Sequence, residues 1–131
     1  MSNAFVFSGP FQYLFASLIA KKFPDDENLG FYYIFQKDFR PVFEQIDRKI
    51  GFSLPKYPVE KIYEQKKIDR LFIANRYNRN IEVKLFFHFR NRAKEINQFE
   101  ENLHLTSLYE KKNLSDKHII RYLHNQYKKI R

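Results

Sequence analysis

The chain has 131 residues, of which 44% are apolar and 18% aromatic, and its net charge is +9. One domain is expected at that length, and since ~150 residues bury roughly 70% of their unfolded surface, this composition excludes a disordered chain. The absence of cysteine excludes disulfides and cysteine-based zinc sites.

"NAFVFSG", residues 3–9, is a run of β-formers closed by glycine and reads as a strand buried on both faces. "PFQYLFASLIAKKFP" follows with an early proline, a long apolar run and a Lys-Lys finish, which predicts a helix. "DDEN" is a turn, and "LGFYYIF" a second buried strand. "DFRPVFEQIDRKIG" puts Phe39, Phe43, Ile46 and Ile50 on one helical face, with Gly51 as its stop signal. "FSLPKYPVEK" carries two prolines and reads as a loop. "IDRLFIAN" predicts a third strand, and "YNRNIEVKLFFHFRNRAK" a helix on Ile81, Leu85 and Phe89. "FFHF", residues 86–89, reads as a core-facing stripe of that helix. "EINQFEE" is a short fourth strand. "NLSDKHIIRYLHNQYKKIR" opens on Ser115, a good N-cap, and predicts a terminal helix with Ile119 or Ile120, Leu123 and Tyr127 on its apolar face and positive charge at its end.

The order β-α-β-α-β-α-β-α implies an α/β fold, a Rossmann-like parallel sheet flanked by helices. Residues 1–131 contain no repeat and no internal linker, so a single α/β domain is expected. The opening "MSNAFVFSGP" lacks a basic n-region, and no stretch approaches the ~20 apolar residues of a spanning helix. A soluble, cytoplasmic protein follows. Lys and Arg cluster in "FRNRAK" and "YKKIR". Such a surface attracts nucleic acid, anionic lipid or phosphorylated small molecules, or it serves solubility alone.

Ligands of open α/β sheets gather at the carboxyl ends of strands. Four stretches qualify: "SGPFQ", "FQKD", "ANRYNRN" and "FEEN". In the first, Gly9 would let the backbone approach a ligand and Ser8 and Gln12 would hydrogen-bond it. The alternative is a tight strand-to-helix turn. In the third, Asn75 and Arg76 suit sugar hydroxyls, carboxylates or phosphates, while Asn78 or Asn80 also serves as a helix cap. In the fourth, Glu100 and Glu101 are adjacent carboxylates. One acts as a general base on a hydroxyl while the other raises its pKa, or both are solvated glutamates before a loop. His88, His104, His118 and His124 have no metal-ligand spacing, and no metal or cofactor is expected.

"FVFSGPFQYLFASLIA" is similar to the opening strand and helix of bacterial sialyltransferases acting on lipooligosaccharide or capsule. "IDRLFIANRYNRNIEVKLFFHF" resembles that family's strand ending in Asn-rich residues before a helix. "EINQFEENLHLTSLYEKK" resembles the stretch with its acidic pair, although Asn102 stands where the family has Gly. The resemblance implies one half of a glycosyltransferase B architecture of two Rossmann-like domains. It implies Glu100 or Glu101 as the base that deprotonates the acceptor sugar, with Gln12 and Asn75 near the cleft. It implies CMP-sialic acid as a metal-free donor. The family's His-Pro motif, which serves the donor, is absent from the chain, and the length falls well short of two domains. The expectation is therefore an amino-terminal acceptor-side domain, truncated or partial and inactive alone. Its partners would be an anionic or nucleotide-activated sugar, a complementary donor-binding domain, and the inner membrane through peripheral association. A nucleic-acid-binding module is the alternative, with Arg76, Arg79, Arg90, Arg92 and Lys94 as the patch and Tyr77 stacking on a base. A non-enzymatic interaction subunit is the third reading.

Overall fold

The computed structural model describes residues 1–33, 40–73, 80–99 and 127–129. Strand β1, Ser2–Phe7, lies at the centre of the sheet, with Ala4 to Phe7 all buried. Gly9 then adopts extended backbone (φ −128°, ψ 175°) and Pro10 opens helix α1, Pro10–Ala20. Proline suits that position because its missing N–H would have no intrahelical partner there. Helix α1 is apolar on every side, and each residue from Gln12 to Ala20 is buried.

Strand β2, Glu27–Tyr32, pairs parallel with β1 from Ser2↔Glu27 to Phe7↔Tyr32. It begins two residues before the predicted strand because Glu27 and Asn28 complete the ladder with Ser2 and Asn3. Helix α2, Arg40–Ile50, buries Phe43 and Ile50, and Ile46 packs against the same cluster. Phe39 lies outside the described residues. Gly51 ends the helix at φ 67°, the left-handed conformation that glycine adopts without a Cβ penalty.

The segment read as a loop is structured. Lys56–Pro58 forms strand β3, parallel to β2, and Val59–Glu64 forms a 3₁₀ helix that buries Val59 and Ile62. Proline is tolerated because β3 is an edge strand. Strand β4, Ile68–Ile73, pairs parallel with β1 on its other side, and helix α3 runs Asn80–Phe89. The predicted helix extended to Lys94. Instead Ala93 and Lys94 belong to strand β5, Ala93–Phe99, where Ala93 pairs with Ile68.

A further correction falls at the far edge. The terminal helix was expected to run through Tyr127 to Arg131, but Tyr127–Lys129 is a strand, β6, antiparallel to β5. An edge strand carries unpaired N–H and C=O groups, and pairing them outweighs a local helical pattern. The expectation of a uniformly parallel sheet fails at this last strand alone.

The sheet order is β3-β2-β1-β4-β5-β6, with the first five strands parallel. Phe5, Phe7 and Phe72 face α1 and α2 in one core with Tyr13, Phe43 and Leu54. The rings of Phe5 and Phe72 stack at 4.6 Å. Ala4, Val6 and Leu71 face the other way, toward Ile62 of the 3₁₀ helix and Leu85 and Phe89 of α3. Alternation along β1 and β4 thus feeds two apolar layers. The result is a doubly wound, Rossmann-like α/β fold whose strand order reverses between β1 and β4.

Candidate functional site at the carboxyl edge of the sheet

The strand order reverses between β1 and β4, and ligands of this architecture usually lie outside the carboxyl ends of the strands at such a point. Three strands end at this edge. Ser8–Gly9 follows Phe7, residue 74 follows Ile73, and Glu100 follows Phe99. The register Phe5↔Phe72 and Ile73↔Gln98 aligns β1, β4 and β5 there.

Of the expected site residues, Ser8, Gly9 and Gln12 are described. Gln12 is buried, and its Oε1 accepts from the Ser8 N–H at 2.9 Å and the Ser8 hydroxyl at 3.1 Å. That oxygen braces the turn and so has its donors without any ligand. The Gly9 carbonyl accepts from the Tyr13 N–H at 3.0 Å. Gly9 has extended backbone, which any residue adopts. Helix α1 has no side-chain cap, and its first turn therefore presents N–H groups suited to an anionic oxygen. Asn75, Arg76, Glu100 and Glu101 lie outside the described residues, as do Arg79, Tyr77 and the other three histidines.

Two polar side chains at the end of β5 escaped the sequence reading. Asn97 and Gln98 are 5% and 3% exposed. Gln98 Nε2 is buried with no hydrogen-bond partner among the described residues, a costly state for an amide donor. The only signal was two amides between Ile96 and Phe99 in a strand read by its apolar positions.

The amino edge carries a different network. Asn28, Asn3, Arg70 and Glu95 are register partners across four strands. Asn3 Nδ2 donates to Asn28 Oδ1 at 2.9 Å, and Arg70 Nε lies 3.5 Å from Glu95 Oε2. Asp26 accepts from Asn3 at 3.1 Å and Arg70 at 3.0 Å. The Asn3 hydrogen bond, with the Met1 ammonium and Arg70, lowers its pKa. Asp69 takes the Ser2 N–H at 2.7 Å and Lys94 Nζ at 3.1 Å. The Ser2 backbone donor first, then Lys94, pulls its pKa down to about 2. These contacts tie strands together at the end opposite the Ser8–Gly9 turn.

A third cluster joins α1, α2 and β3. Tyr13 donates its hydroxyl to Asp47, which also accepts from Ser53 at 3.0 Å and Lys56 at 3.1 Å. Lys56 lies 5.0 Å over the Tyr13 ring. Burial, followed by the Asp47 carboxylate, raises the Tyr13 pKa. Burial opposes the Lys56 charge, but Tyr13 and Asp47 outweigh it and raise that pKa too.

His88 packs edge-on against Tyr63 at 4.8 Å, and burial with the Arg92 charge lowers its pKa. In the "FFHF" stripe Phe89 is buried as expected, whereas Phe87 is 58% exposed. Among the described residues no group of three His, Asp or Glu is placed to hold a metal ion. No described helix is long and apolar enough to cross a membrane. No family model, curated protein or solved structure matches the chain.

Proposed function

We propose that the chain is the acceptor-side half of a sialyltransferase-like glycosyltransferase. The observation that carries this reading is the convergence at one sheet edge of the Ser8–Gly9 turn, the end of β4 and the end of β5, where Glu100 is the next residue after Phe99. The acceptor sugar would lie at that edge. Glu100 or Glu101 takes the proton of its hydroxyl as that oxygen attacks the anomeric carbon of CMP-sialic acid. The C–O bond to CMP breaks, and CMP leaves with the bonding pair. The neighbouring carboxylate holds the base's pKa up, toward working pH. The uncapped first turn of α1 offers N–H groups to an anionic part of the substrate. CMP would be held by a complementary donor-binding domain.

The nucleic-acid reading has less support. Arg92 donates to the His88 carbonyl at 2.8 Å and Lys94 pairs with Asp69, so two of the patch cations are already engaged.

The test mixes the chain with a separately expressed sialyltransferase donor-binding domain and measures transfer from CMP-sialic acid to lactose. Turnover is expected only from the mixture. Glu100→Gln or Glu101→Gln, whichever removes the base, should lower it by at least ~100-fold. Unchanged rates in both variants remove the base assignment, and no turnover from the native mixture removes the transferase reading.

A further inference from the structure

We propose that the outward face of α3 docks on an anionic lipid bilayer. The inference does not depend on the transferase reading, because it uses a different surface. Leu85 and Phe89 turn α3 toward the core at 0% exposure each. Val83 and Phe87, one helical turn apart, point the other way and are 36% and 58% exposed.

The rim is cationic. Lys84 and Arg90, three residues before and after Phe87, are both exposed beside it. The Ile68 N–H donates to the Arg92 carbonyl at 3.2 Å, which brings exposed Lys66 and Lys67 beside the turn after α3. An apolar centre flanked by Lys and Arg suits the bilayer interface. The aromatic ring enters the headgroup boundary while the cations meet lipid phosphates. Single-stranded nucleic acid fits less well. The Arg90 guanidinium lies 5.5 Å over the Phe87 ring and covers a face that a base would stack on, and Val83 offers no stacking surface.

The chain has no tryptophan, so Phe87→Trp gives a single clean reporter. Its emission should shift to the blue with vesicles of phosphatidylcholine and phosphatidylglycerol, and brominated lipid should quench it. Added salt should weaken the binding, and vesicles of phosphatidylcholine alone should bind little. In co-sedimentation of the full chain, Val83→Ser with Phe87→Ser should cost at least about fivefold in partitioning, and Lys84→Glu with Arg90→Glu a similar factor. Tyr57→Ser, an exposed aromatic on the far edge strand, should change nothing. Absence of partitioning, or partitioning by both double variants as strong as that of the unaltered chain, overturns the proposal. So does an oligothymidylate, bound without lipid affinity, that Phe87→Ser releases. So does a dimer that Phe87→Ser dissolves while vesicles are ignored.

Discussion

Asp69 shows how a single carboxylate couples the sheet to pH. Its two oxygens take the Ser2 N–H, the Ser2 hydroxyl and Lys94, which ties β4 to β1 and β5. The folded pKa of about 2 lies below the ordinary 3.8. A depressed carboxylate contributes stability that is complete above 3.8 and lost as pH falls toward 2. In thermal melts, Asp69→Asn should therefore lower Tm near neutral pH, and the gap from wild type should close as pH approaches about 2. A gap that stays constant across that range would mean the charge plays no part. Gln12 makes a related point at the other edge. Its type and spacing suggested a ligand contact, but its oxygen is turned inward to the two Ser8 donors. A side chain's type is visible in sequence, whereas its hydrogen-bond partner depends on rotamer and packing.

At the scale of elements, β2 and β3 depend on a close approach at Gly30. The Gly30 N–H donates to the Pro55 carbonyl at 2.6 Å. A Cβ on Gly30 would meet Pro55 O and Phe7 Cε1 at 2.9 Å and Leu54 Cδ2 at 3.0 Å. Pro55 is backbone and cannot swing away, so Gly30→Ala should destabilise the fold by about 1–3 kcal/mol in urea denaturation. A change below about 0.5 kcal/mol, the usual effect of a surface substitution, would show that β3 gives way freely. The strong elements were legible. The apolar run of β1, the Ile81-Leu85-Phe89 spacing of α3 and the glycine stop of α2 each state their structure locally. Strand β3 was not legible, because two prolines mask a three-residue strand that exists only by leaning on β2. Strand β6 was not legible because its partner, β5, is about thirty residues away in sequence.

For the whole molecule, stability should be graded outward from the centre of the sheet. Strand β1 has parallel neighbours on both sides and an apolar layer on each face, while β3 is three residues at an edge. Native-state hydrogen exchange should be slowest at the amides of β1 and β4 and much faster at β3. Equal protection in β3 and β1 would contradict that gradient. Alternating apolar strands and helices in the sequence, with short connections, were enough to establish the α/β class and the parallel central strands. Helices must cover both faces of such a sheet, and that demand is written locally in periodicity. What needed the tertiary structure was which strands are neighbours, where their order reverses, and which polar groups are inward or outward. Those features arise from contacts between residues far apart in the chain. A sequence pattern of period two or 3.6 records which face of an element is apolar, and carries no record of the surface it meets.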